Sequence, residues 1–274
     1  MVLLPAPMAA RILLVAPLVI VPRLLGALPR RRIVTGLAGW PALVAALPLL
    51  VAFSMAPSAV AATLAVPWLV LAAIGGGSAV AHALGRLPGE LRLHGLPGLG
   101  IDVALGFWAV GALFIVLDRA GLAAGFPPVI VLLTAVHFHV AGFGLLGLAG
   151  LLAASRPRVR VPVLGLIAGI PLTALGFMAC APAVNAAGAL LVGLSGIGVA
   201  IALLTRRSQA RVRWSSASAG AALLVGMPMG IAWSLAMLLG TSFLDMDLMI
   251  RTHGALNASA VLLAVLAWPG DSGP

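Results

Sequence analysis

Three histidines and one asparagine are the side chains of this sequence best suited to chemistry in apolar surroundings. His137 and His139 flank Phe138, and His253 precedes Asn257 by four residues. An imidazole donates and accepts hydrogen bonds and titrates near physiological pH, so it can bind a polar substrate or carry a proton. Imidazole nitrogens are also ligands for haem iron and zinc. The pattern therefore indicates a binding site, a proton path or a metal centre.

The spacing of these residues limits which of them can share a site. Residues two apart on an α-helix point about 200° apart, so a regular helix cannot aim both His137 and His139 at one ligand. One of the two would face the ligand and the other a neighbouring helix. His253 and Asn257, four residues apart, lie on the same helix face.

Charged residues near these motifs are few. Asp247 and Arg251 are four residues apart and can form a salt bridge at the outer surface, or Arg251 can reach an anionic ligand. Asp102 is expected at a membrane interface or as a helix cap, where a negative charge is stabilised. We predict these substrate-binding residues: His137, His139, Arg251, His253 and Asn257.

The composition shows which elements must position these side chains. The chain has 274 residues, of which 62% are hydrophobic and 8% are charged. Soluble domains carry about 25% charged residues, whereas a transmembrane helix is a run of about 20 apolar residues. The sequence therefore predicts an all-α polytopic membrane bundle of about nine transmembrane helices, forming a single integral membrane domain over 1–274. The predicted spans are 8–27, 36–55, 58–83, 98–117, 127–154, 160–180, 184–204, 214–240 and 246–268.

The arginines orient these spans. Thirteen of the sixteen basic residues follow alternate spans: Arg23, Arg30, Arg31, Arg32, Arg86, Arg92, Arg156, Arg158, Arg160, Arg206, Arg207, Arg211 and Arg213. Because cytoplasmic loops carry an excess of positive charge, nine spans place the N-terminus outside and the C-terminus in the cytoplasm. The helix rise then puts His137 about 15 Å, and His253 about 10 Å, below the outer ends of their spans. The predicted site therefore lies in the outer half of the bundle.

Glycines inside the spans are expected at helix contacts. Gly165 and Gly169 fit the small-xxx-small pattern that lets two helices approach closely. Gly142, Gly144 and Gly147 match G-x-G-x-x-G, but this fingerprint binds dinucleotides only where it follows a strand and opens a helix. Here it lies within an apolar span, so it indicates helix packing.

Two further classes are excluded. The net charge of +10 resembles that of nucleic-acid-binding proteins, but the arginines stand in short clusters between apolar runs. We therefore expect no nucleic-acid partner. Cys180 is the only cysteine, which excludes an internal disulfide and a cysteine metal site.

Two segments resemble a known family. His137-Phe-His-Val-Ala-Gly-Phe-Gly144 resembles the HFHYAGF-type stretch of the YndJ-like bacterial membrane proteins, and the segment from Met249 to Ala258 resembles that family's HG-x-x-NA ending. Val140 stands where the family's stretch has tyrosine, so no tyrosine chemistry is carried over. The resemblance covers most of the chain and implies a multi-pass protein of the bacterial inner membrane. It points to His137, His139, His253 and Asn257.

Three functions are left open. The leading interpretation is a transporter-like protein, not an enzyme, that binds an unknown small molecule at a polar, histidine-containing site without a cofactor. The alternative is a haem- or metal-binding membrane oxidoreductase, with one of the paired histidines and His253 as axial ligands and Arg251 near a propionate. The third is a non-catalytic membrane protein that docks a partner and uses its histidines in packing. In each case the lipid bilayer surrounds the chain, and the oligomeric state stays open.

An absorption spectrum with metal analysis of the detergent-purified protein separates the first two functions. The transporter interpretation predicts a colourless protein without stoichiometric metal. The haem alternative predicts a Soret band that disappears in His253→Ala, because the substitution removes an axial ligand. Such a band would contradict the transporter interpretation, and its absence together with the absence of metal would contradict the alternative.

Overall fold

The computed structural model describes residues 6–28, 32–86, 92, 95–123, 125–206, 210–241 and 245–268. Within these ranges the regular structure is entirely helical. In chain order the helices are α1 (6–27), α2 (Arg32–Leu37), α3 (Trp40–Ser54), α4 (Ala59–Arg86), α5 (Leu96–Arg119), α6 (Pro128–Ser155), α7 (Arg160–Met178), α8 (Pro182–Leu204), α9 (Ala210–Leu238) and α10 (Met246–Leu266). The predicted all-α membrane bundle is confirmed.

Eight helices of the described part are long and apolar enough to cross a membrane. The span predicted at 36–55 is built differently, because the chain turns at Ala38 and Gly39 before the 15-residue helix α3 begins. A helix of that length reaches about 22 Å, less than the hydrocarbon core of about 30 Å. Gly39 has a φ of 66°, which glycine adopts without steric strain, and Pro41 in the first turn of α3 needs no N–H partner. The second predicted span is therefore broken near its start.

Contacts between helix ends show that consecutive long helices run antiparallel. At one end, the Arg119 guanidinium of α5 donates to the main-chain oxygens of Ala52 and Met55 at 3.3 and 3.2 Å. At the other end, Arg156, after α6, donates to the oxygen of Ala202 near the end of α8 at 2.6 Å. Arg206, after α8, lies over the Trp268 ring at 4.3 Å. We call the end with Arg119 the arginine-poor end and the end with Arg156 the arginine-rich end.

Glycines let the helices approach closely, as predicted. A Cβ on Gly165 would meet the Ser195 side chain, and one on Gly169 would meet Leu191 and Val192 at 2.8 and 2.9 Å. Both contacts join α7 to α8. Along the same pair of helices, a Cβ on Gly188 would meet the main chain of Thr173 and Leu172. Main-chain atoms cannot rotate away from an added methyl group, so this contact sets the distance between α7 and α8.

The closeness of α7 and α8 predicts that Gly188→Ala destabilises the fold. We expect a loss of about 1–3 kcal/mol, as for overpacking in a dense core. Gly106→Ala in α5 is the matched control, because a Cβ there meets nothing within 4 Å and alanine stabilises a helix by about 0.5–1 kcal/mol relative to glycine. Thermal unfolding in detergent measures both variants. Equal midpoints for the two would contradict the close contact at Gly188.

Candidate functional site

Three of the long helices contain a π-helical segment, and these segments lie together. The segments are Ala16–Ile20 in α1, Phe138–Leu145 in α6 and Ile250–Gly254 in α10. A Cβ on Gly144 of α6 would meet Val261 of α10 at 2.7 Å and Ile20 of α1 at 3.4 Å. π-Bulges are rare and frequent at functional sites. The two histidine-bearing motifs therefore lie where three irregular helices converge.

A cavity of about 220 Å³ lies beside these segments, between α1, α6, α7, α8, α9 and α10. It extends from Phe177 and Met246, close to the arginine-poor end, to Leu145 and Val261, beyond the middle of their helices. Most of its lining is apolar. The side chains that can form hydrogen bonds are those of Thr134, His137, Thr173, Trp233, Ser234, His253 and Asn257.

His253 and Asn257 pack against two glycines of α9. A Cβ on Gly226 would meet the Asn257 amide, and one on Gly230 would meet the His253 ring at 2.6 Å. Nδ1 of His253 lies 2.7 Å from the main-chain oxygen of Gly226. Because that oxygen can only accept, Nδ1 carries the proton. Asn257 Nδ2 lies 3.1 Å from Nδ1 and 3.3 Å from Nε2, and of these two nitrogens only Nε2 has a lone pair to accept its hydrogen. The pair is thus held in one tautomer by the neighbouring helix.

His137 reaches the same cavity from α6. Its Nε2 lies 3.3 Å from the main-chain oxygen of Ile170 in α7, so Nε2 donates and Nδ1 keeps its lone pair. The helix rise places His137 about 14 Å, and His253 about 10 Å, from the arginine-poor ends of their helices. The structure therefore brings together three of the predicted site residues: His137, His253 and Asn257.

His139 faces away from the cavity. Its ring is fully buried, accepts from Trp68 Nε1 at 3.0 Å through Nε2, and donates through Nδ1 to the main-chain oxygen of Ala135 at 2.9 Å. A Cβ on Gly111 of α5 would meet this ring. Both ring nitrogens are used, so His139 joins α6 to α4 and α5 and does not line the cavity.

Arg251 also lies outside the cavity lining. Its Nε is 2.7 Å from Asp247 Oδ2, and the side chains of Arg251 and Asp247 are 53% and 35% exposed. The two residues form a surface salt bridge four residues apart on α10. Of the two possibilities for Arg251, the structure shows the ion pair with Asp247.

A contact between a histidine of α4 and an aspartate of α5 was missed by the sequence reasoning. His82 Nδ1 lies 2.8 Å from Asp102 Oδ2, and the Asp102 side chain is 2% exposed. Asp102 does not cap α5, because the N-cap residue is Gly95 and no side chain caps this helix end. Its carboxylate is instead buried against a histidine of the preceding helix, and its position at a membrane interface stays a prediction. The sequence does contain a signal for this pair. His82 is four residues before the end of α4 and Asp102 six residues after the start of α5, so an antiparallel pair of helices places them at similar depth.

The donors for a metal ion are limited. Within the described ranges, no group of three His, Cys, Asp or Glu side chains comes together. A zinc site with three protein ligands therefore has no donor set in that part of the chain. A haem held by one or two histidines needs no such group, and it stays a prediction for the absorption spectrum to test.

The fold and cavity define a multi-pass helical membrane protein with a mostly apolar internal site. The chain matches the family of YndJ-like proteins over residues 11–261. It therefore belongs to this family, and the resemblance seen in the two motifs is confirmed. No curated protein and no solved structure matches the chain.

The contacts of His139 predict a structural role that a double-mutant cycle can measure. His139→Leu leaves the Trp68 N–H buried without an acceptor, and we expect a loss of about 1–2 kcal/mol in stability. In Trp68→Phe/His139→Leu the unpaired group is gone, so part of the loss should be recovered. His137→Leu is the control, because it leaves no indole N–H unpaired. Additive losses in the cycle, read from thermal unfolding, would contradict the Trp68–His139 bond.

Proposed function

We propose that this protein is transporter-like and binds a small molecule in the cavity beside His137, His253 and Asn257. The observation that carries the proposal is that the two motifs reach one cavity, although His137 and His253 are 116 residues apart in the chain. An apolar cavity with a few converging polar groups is typical of a ligand site. Three helices lose regular geometry there. A site used only for packing has no need of such a cavity.

The depth of the cavity supports passage through the bundle. It begins near the arginine-poor end and continues beyond the middle of α6 and α10. Binding sites of secondary transporters lie near the bilayer midplane, where irregular helices meet. A molecule bound beside His137 would therefore already be well inside the membrane.

Two prolines supply places where the surrounding helices can bend. Pro171 lies inside α7 and Pro228 inside α9, and both helices line the cavity. A proline inside a helix removes one main-chain hydrogen bond and kinks the helix. Pro228 stands between Gly226 and Gly230, the two residues against which His253 and Asn257 pack. A change in the bend of α9 would thus change the cavity directly.

The charge distribution supports an orientation for this transport. The arginine-rich end corresponds to the cytoplasm under the positive-inside rule. The proposed orientation in the bacterial inner membrane has the N-terminus outside and the C-terminus in the cytoplasm, with α2 and α3 together making the ninth crossing between α1 and α4. In this orientation the cavity lies mainly in the outer half of the membrane.

Labelling of a cysteine in the cavity tests the proposal. Cys180, with a φ of 49°, is first replaced by glycine, which adopts that conformation without strain. Ala189→Cys then places a thiol in the cavity lining. A transporter exposes its site to each side in turn. We expect a small, membrane-impermeant thiol reagent to label this cysteine in right-side-out and in inside-out vesicles.

Leu190→Cys is the matched control, because Leu190 is the next residue of α8 and lies on the outer face of the bundle. A thiol in contact with lipid tails should not react from either side. Labelling of Ala189→Cys from one side only would contradict transport and indicate a binding site that opens to that side alone. Ala174→Cys, in the cavity wall formed by α7, repeats the test from a second helix.

A further inference from the structure

We propose that the cavity selects an uncharged molecule that brings its own hydrogen-bond donors, such as an alcohol or an amide with an apolar body. This inference rests on the proposed function, since it names the class of substrate for the same site. It follows from where the hydrogens of the cavity's polar side chains already point.

Two threonines of the cavity donate their hydroxyl hydrogens to their own helices. Thr134 Oγ1 lies 2.7 Å from the main-chain oxygen of Ile130, and Thr173 Oγ1 lies 2.9 Å from that of Gly169. A hydroxyl group has one hydrogen and two lone pairs, and a main-chain oxygen has no hydrogen to give. Both threonines therefore offer a ligand lone pairs.

The N–H groups of the two cavity histidines also donate to main-chain oxygens. His137 donates through Nε2 to Ile170, and His253 donates through Nδ1 to Gly226. Each neutral imidazole has one N–H, so neither has a second hydrogen for a ligand. Within the described part of the chain, Nδ1 of His137 has no hydrogen-bond partner and remains an acceptor.

Asn257 also has a hydrogen bond within the protein. One hydrogen of its Nδ2 is donated to the His253 ring, and its Oδ1 is buried without a hydrogen-bond donor. Asn257 itself is 8% exposed, so this oxygen is an unpaired acceptor in the wall between α9 and α10. The Ser234 hydroxyl can turn and serve as donor or acceptor. The Trp233 indole and the second N–H of Asn257 can only donate. The lone pairs of Thr134, Thr173 and His137 nevertheless bias the polar part of the cavity toward acceptors.

The absence of charge in the lining excludes ions as preferred ligands. Among the described residues, no arginine, aspartate or glutamate lines the cavity. Removing an ion from water without a partner of opposite charge is far less favourable than removing a neutral polar group. An anion would in addition face the lone pairs of Thr134, Thr173 and His137. The favoured ligand is therefore neutral.

The size of the cavity admits a small molecule of this class. An apolar cavity of about 150 Å³ binds benzene, and this one has about 220 Å³. Benzyl alcohol combines an aromatic body with one O–H donor and is a suitable probe. Benzyl methyl ether lacks the donor, benzoate is the anion, and benzylammonium is the cation.

Protection of Ala189→Cys from thiol labelling ranks these four probes. We expect benzyl alcohol to give half-protection at a concentration about 5–10-fold lower than the ether, the effect of one hydrogen bond. Benzoate and benzylammonium should protect least. Thr134→Val and His137→Leu should each reduce the advantage of the alcohol over the ether.

Thr252→Val is the control for these variants. Thr252 makes the same kind of bond, 2.6 Å to the main-chain oxygen of Leu248, but does not line the cavity. The Thr252→Val variant should leave the ranking of the four probes unchanged. Equal protection by alcohol and ether, or strongest protection by either ion, would overturn the inference. The two proposals fail in different experiments. The proposed function fails if Ala189→Cys is labelled from one side only, and the inference fails if the probes rank differently.

Discussion

A membrane interior offers no water to polar groups, so each polar side chain there needs a partner within the protein. This constraint explains most of the specific contacts of the bundle. His82 is paired with Asp102, and His139 uses both ring nitrogens between α4 and its own helix. His137 and His253 each reach a main-chain oxygen of a neighbouring helix. These bonds select which helices are neighbours, a choice that apolar surfaces alone make poorly.

Glycine and proline residues give the helices the close contacts and bends that accompany these hydrogen bonds. The rings of His139 and His253 fit between helices because Gly111 and Gly230 have no side chain. The same absence of side chains brings α7 and α8 into main-chain contact at Gly188. Pro171 and Pro228 interrupt α7 and α9 close to the cavity. At Gly230, Pro171 and Pro228, close packing and local irregularity occur beside the cavity that His137 and His253 reach.

The cavity and the His82–Asp102 pair occupy different parts of the bundle. The cavity lies toward the arginine-poor end, among α1 and α6–α10, whereas His82 and Asp102 lie near the arginine-rich ends of α4 and α5. A polar group that already has its partner stabilises the fold, as at His139. A polar group that retains a lone pair facing a cavity, as at His137, is available to a ligand. This difference separates two histidines that stand two residues apart.

The sequence by itself determined the membrane class, the approximate spans, the charge asymmetry between the two ends and the residues worth testing. These follow from hydrophobic length and charge, which are local and additive along the chain. Geometry alone also required His137 and His139 to face different ways, but not which of them faces the cavity. Only the tertiary structure decided that, along with the His82–Asp102 pair, the break at Gly39 and the placement of Arg251 outside the cavity. The physical reason is that helices apolar on nearly every face carry little information about their rotation or neighbours. Those are chosen by side-chain hydrogen bonds and glycine contacts between residues far apart in sequence.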